Sequence, residues 1–106
     1  MPKYLLEVNY TQPGVQALLD KGGTARKNAA SVAAKSLGGK IEAFYFAFGS
    51  VDAYTIVDMP DEASAAALAL TVSASGAVTI KTVALLAPSD IDAAAEKKVT
   101  YRPPGR

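Results

Sequence analysis

Residues 44–54 read Phe-Tyr-Phe-Ala-Phe-Gly-Ser-Val-Asp-Ala-Tyr, and this stretch decides the fold. It holds five of the chain's eight aromatic residues. Aromatic side chains suit a pleated, half-buried surface, and Gly49-Ser50-Val51 is short enough to link two strands as a hairpin. The first strand, 41–48, is nearly apolar on both faces. A chain of 106 residues buries only about two thirds of its unfolded surface, too little to cover a sheet twice. The pattern therefore implies a second layer from another copy of the chain.

On the N-terminal side, residues 4–10 form a first strand closed by Thr11. Thr11 can cap a helix whose first turn tolerates Pro13, with Val15, Leu18 and Leu19 as its apolar face. Gly22-Gly23 interrupts that helix, because paired glycines make a helix interior costly. Thr24 is expected to cap a second helical piece with Ala25, Ala29, Val32, Ala33 and Leu37 facing inward, stopped by Gly38-Gly39. On the C-terminal side, residues 52–58 are the third strand. Pro60 and Asp61 start a helix to about Ala74, with Ala63, Ala66, Ala67 and Leu70 inward. Gly76 ends it, and residues 78–86 are the fourth strand. Ser89 is the expected cap of a last short helix reaching about Lys98. The domain is read as residues 1–98, followed by a Pro-rich tail, 99–106.

The order β-α-β-β-α-β is that of a ferredoxin-like α+β sandwich with a four-stranded antiparallel sheet. Right-handed crossovers place strands one and three in the centre and both helices on one face. On strand two, Phe44, Phe46 and Phe48 alternate with Ile41, Ala43, Tyr45 and Ala47. On strand four, Val83 and Leu85 lie opposite Ile80. A monomer would expose several hundred Å² of contiguous apolar surface, more than soluble monomers usually carry. The expected remedy is a homodimer with sheets packed face to face, or a higher homo-oligomer, and the phenylalanine stripe is read as its core rather than a cofactor stack.

Composition narrows the chemistry. Eleven basic and ten acidic residues nearly cancel, so no general field favours nucleic acid or an anionic membrane. Histidine and cysteine are both absent. That removes the usual ligands of zinc, haem, iron–sulfur clusters and copper, and with them Ser-His-Asp and Cys-His nucleophiles. The scattered acidic residues do not read as a metal-binding loop. No metal and no cofactor is expected. No apolar run approaches the ~20 residues of a membrane span, and Met-Pro-Lys-Tyr lacks a signal-peptide core. A cytoplasmic protein is expected.

Several motifs resemble those of the GYD family, small bacterial proteins named for a glycine-tyrosine-aspartate signature. They are Val8-Asn9-Tyr10-Thr11, Gly22-Gly23-Thr24-Ala25-Arg26, Leu37-Gly38-Gly39-Lys40, Phe44-Tyr45-Phe46-Ala47-Phe48-Gly49 with Asp52, Met59-Pro60-Asp61-Glu62 and Ser75-Gly76. Val51 stands where the signature has its tyrosine, so no phenol serves that position here. The resemblance spans about residues 3–87 and implies a dimeric α/β barrel. It supplies no reaction, since relatives of similar fold range from cofactor-free monooxygenases to small-ligand sensor domains.

Three constellations are candidate sites. Gly49-Ser50-Val51-Asp52 reads as a turn whose Asp52 carboxylate binds backbone amides, or as a base at a cavity mouth. Lys21-Gly22-Gly23-Thr24-Ala25-Arg26-Lys27 reads as a helix break, or as an anion site on free helix amides with Gly23, Thr24 and Arg26 as its residues. Glu7 and Asn9 on strand one, with Lys81 on strand four and Tyr45 or Tyr54 nearby, read as a polar cluster beneath a partner's sheet or as a solvated sheet edge. The basic residues Lys97, Lys98, Arg102 and Arg106 read as a solvated end. The expected function is a homodimeric module that binds a small, partly apolar ligand or serves as a scaffold. The alternative is a cofactor-free oxygenase or isomerase acting on an activated carbonyl compound. There Asp52 or Glu7 would be the base and Asn9 or Tyr45 the oxyanion donor.

Overall fold

Alternation at period two in the strands, and glycines and capping residues between them, set the element order. The computed structural model describes residues 1–105. It consists of β1 (Lys3–Tyr10), α1 (Gln12–Lys21), α2 (Gly23–Ser36), β2 (Lys40–Phe46), β3 (Ala53–Asp58), α3 (Glu62–Ala74), β4 (Val78–Leu85) and α4 (Pro88–Glu96). The sheet is antiparallel with order β2-β3-β1-β4. This is the expected α+β, ferredoxin-like arrangement with β1 and β3 central. Among the described residues, no helix is long and apolar enough to cross a membrane.

The capping of α1 also fixes its place. The Thr11 Oγ1 accepts the Gly14 N–H, while its own hydroxyl donates to the Gly76 carbonyl at 2.7 Å and its N–H to the Ala77 carbonyl at 3.0 Å. One residue thus starts a helix and ties it to the α3–β4 turn. Gly14 is buried there, and a methyl group on it would collide with the Ala77 carbonyl. Gly22 separates α1 from α2 with φ 86°, a conformation that costs glycine little. Thr24 does not cap α2: Gly22 holds the cap position and no side chain bonds the first-turn amides. In α3, Asp61 Oδ1 accepts the Ser64 N–H at 2.7 Å, and that bond holds the Asp61 carboxyl below its ordinary pKa. Ser89 lies inside α4 rather than capping it. The Asp90 carboxylate accepts the Ala87 N–H at 2.8 Å instead.

The core joins Tyr4, Leu6 and Val8 of β1, Ala53 and Val57 of β3 and Val78 of β4 to Ala34, Ala65 and Leu68 of the helices. The inward face of α3 is Ala65, Leu68 and Val72, not Ala63, Ala66, Ala67 and Leu70; Leu70 is 71 % exposed. Alanines on every side of this helix give the sequence no contrast from which to read its orientation. In α2 the inward set is Ala30, Ala33, Ala34 and Leu37, with Val32 exposed.

Strand β2 differs from its simple alternation. A bulge at Glu42 puts Ile41 opposite Val57 and Ala43 opposite Ile56, because one extra residue resets which way the side chains point. Phe44 and Phe46 then face Thr55 and Ala53, both buried on the helix side. Phe44 and Phe46 pack edge to face at 5.2 Å, and Phe46 stacks on Tyr10 at 6.3 Å. The stripe therefore belongs to the helix layer, not to the bare face, and Phe48 lies beyond the strand, fully exposed. Gly49 has no positive φ, so the turn does not depend on glycine there.

No helix covers the other face. Its centre is an apolar row, Ala43–Ile56–Leu5–Val83, running across all four strands. Helix α4 buries none of its own residues, so it roofs neither face. Every residue from Leu86 to Arg102 is exposed. The radius of gyration, 17.1 Å, exceeds the ~13 Å of a compact chain of about 100 residues, which fits a projecting arm. Of the basic end, Arg106 lies outside the described residues.

Candidate functional site

Strand register gathers the polar candidates of the bare face into one line. Tyr45 pairs with Tyr54, Tyr54 with Glu7, and Glu7 with Lys81. This row lies directly beside the apolar row, with Tyr45 72 % and Tyr54 39 % exposed. Two phenols, a carboxylate and an ammonium group across one sheet face are suited to hydrogen bonding with whatever covers it.

Asn9 and Asp52 do a different job. The Asp52 N–H donates to the Val8 carbonyl at 3.0 Å and to Asn9 Oδ1 at 3.1 Å. The Asp52 carboxylate accepts the Tyr10 N–H at 2.9 Å, and its carbonyl accepts the Ala47 N–H at 2.8 Å. These bonds staple the β2–β3 loop to the end of β1. The carboxylate does serve a backbone amide, though one from β1 rather than from its own turn.

Three cavities on the helix side meet at Tyr10. One, of about 40 Å³, sits between sheet and helices, lined by Leu6, Val8, Tyr10, Arg26, Phe44 and Leu68 among others. A second, of about 120 Å³, is bounded by Tyr10, Leu18, Lys21, Arg26, Val72 and Val78. An open groove of about 390 Å³ leads outward past Tyr10, Leu18, Gly23, Phe46, Phe48 and Asp52. The half-buried Tyr10 phenol is pushed above its ordinary pKa, chiefly by burial; Arg26 pulls it down and Asp52 pushes it up.

The Gly23, Thr24 and Arg26 constellation is split. Gly23 packs against the Phe46 ring and Thr24 is exposed. Arg26 is half-buried and borders both of the smaller cavities. Among the described residues, Arg26 has no ion-pair or side-chain hydrogen-bond partner. Also among the described residues, no three His, Cys, Asp or Glu side chains converge as metal ligands.

Sequence reasoning missed Tyr10, the residue common to all three spaces. The available signal was its parity with Leu6 and Val8 on β1, which places it under the helices. Lys21 lies in the 21–27 candidate stretch, but the cavity it borders is formed by residues far apart in the chain.

Residues 4–95 match the family model described as GYD domain, and the chain belongs to that family. No curated protein matches the chain, and no solved structure matches it.

Proposed function

We propose that this GYD-domain chain is a homodimeric binding module that holds a small, partly apolar molecule beside Tyr10 in each protomer. The observation that carries the reading is the convergence of two part-open cavities and a more open groove on that one side chain. Pockets of this kind, apolar with a few convergent polar groups, are the usual seats of small ligands. In the enzyme alternative, Asp52 or Glu7 would be the base and Asn9 or Tyr45 the oxyanion donor. The Asp52 carboxylate already accepts the Tyr10 N–H and Asn9 Oδ1 the Asp52 N–H, which favours binding over catalysis at these two residues.

The bare face supports the dimer. Strands of six to eight residues give a face of roughly 19 by 23 Å. That projected area falls below the ~800 Å² per partner of a standard stable interface. The arm would supply the remainder: Ile91, Val99 and Tyr101 are exposed in the protomer and would pack on the twin. A melting screen of the full chain against small apolar compounds tests the ligand half. Stabilisation accompanied by amide shifts at Tyr10, Gly22 and Val72 is expected. Shifts confined to β4 and α4 would contradict it.

A further inference from the structure

We infer that the molecule held beside Tyr10 is a small apolar carboxylic acid whose carboxylate is bound by Arg26; this rests on the ligand reading above. The two smaller, part-open cavities share Tyr10, Arg26, Val72 and Val78. Their lining includes two cations, Lys21 and Arg26, and not one carboxylate. Asp52 borders only the outer groove. A half-buried guanidinium beside hydrocarbon walls is costly unless an anion pairs with it. No described residue provides that anion.

The planar guanidinium fork matches a carboxylate in two parallel hydrogen bonds. The apolar lining argues for a singly charged group on a hydrocarbon body, since a phosphate dianion would lose far more hydration on entry. Size fixes the scale of that body. A dry cavity of about 150 Å³ accommodates benzene, and the larger space here is about 120 Å³ with the 40 Å³ space adjoining it. Ser75 is not needed as a ligand: its hydroxyl donates to the Val72 carbonyl at 2.6 Å and accepts the Ala77 N–H at 3.2 Å.

The test titrates the full chain with benzoate and with benzyl alcohol, its neutral counterpart, followed by calorimetry and backbone amide shifts. Benzoate is expected to bind roughly tenfold or more tightly than benzyl alcohol, as a charge-assisted hydrogen-bond pair should. The shifts should centre on Gly22, Arg26, Val72 and Val78. Arg26→Gln should erase the preference while leaving benzyl alcohol affinity within about twofold, and Arg26→Lys should keep part of it. Equal affinities in the unaltered chain, or benzoate shifts centred on Glu7 and Lys81, would overturn the carboxylate inference. Benzyl alcohol still seated at Tyr10 would then leave the pocket standing. Neither compound shifting these amides would sink both. The unaltered chain decides these outcomes, so the inference stays testable even if Arg26→Gln folds poorly.

Discussion

The two faces of this sheet are built from the same strands yet behave as different materials. Beneath the helices, Tyr4, Leu6, Val8, Ala53, Val57 and Val78 are almost wholly buried. One residue along each strand, Leu5, Ile56 and Val83 form an equally apolar row that no helix covers; Val83 is 41 % exposed. Side-chain alternation therefore fixes which residues share a face, but coverage decides which face is a core. The first face carries the protomer's stability and its cavities. The second carries, in our account, its assembly.

The sharpest way to separate the two roles is to truncate the covered face. Leu68→Ala should destabilise the protomer by about 2–5 kcal/mol, as core truncations do, read from urea unfolding. Leu70→Ala on the same helix should stay within about 0.5 kcal/mol, since it touches no core. If both cost the same, the assigned inward face of α3 is wrong.

On the bare face the expected pattern reverses. Val83→Lys should leave far-UV circular dichroism and protomer unfolding nearly unchanged. It should weaken association by roughly tenfold or more, because an unpaired charge would be buried between the sheets. Unaltered association at equal concentration would show that this row is not the interface.

A smaller effect is expected where the faces meet at the end of β1. Asp52→Ala removes the acceptor of the Tyr10 N–H and should cost about 1–2 kcal/mol, with loosened amide exchange at Ala47 and Tyr10. Little loss, together with a large change in ligand affinity, would restore a chemical role for Asp52.

The smallest effect concerns the far end of the sheet. There Lys3 Nζ donates to Glu42 and to Asp58, each at 2.7 Å. The bond from Lys3 holds the Asp58 carboxyl below its ordinary pKa of 3.8. The bonds to Asp58 and then Glu42 raise Lys3 above 10.5. Asp58's contribution is thus present above 3.8 and lost as pH falls through its lower folded value. Lys3's contribution is present below 10.5 and lost as pH rises through its higher folded value. Lys3→Met should flatten both limbs of the urea-midpoint profile. An unchanged profile would remove the pair from the account.

Much of the fold was legible because its signals are local. Thr11 and Asp61 announce helix starts, Gly22 and Gly76 mark breaks, and Val78, Ile80, Val83 and Leu85 alternate cleanly. What escaped depended on non-local geometry. The bulge at Glu42 turned Phe44 and Phe46 to the helix side, and no residue type in 41–43 demands a bulge. The alanine-rich α3 carries no asymmetry from which to choose a face. The candidate site divides in the same way. The register that aligns Tyr45, Tyr54, Glu7 and Lys81 followed from strand order, whereas the cavities around Tyr10 exist only once α1, α2 and β4 are brought together.

The claim beneath all of this is that a second copy covers the bare face, and sedimentation velocity on the full chain at micromolar concentration tests it most directly. We predict a species of twice the 10.9 kDa of one chain, reverting toward one chain in Val83→Lys. A stable single-chain species for the unaltered protein would contradict it.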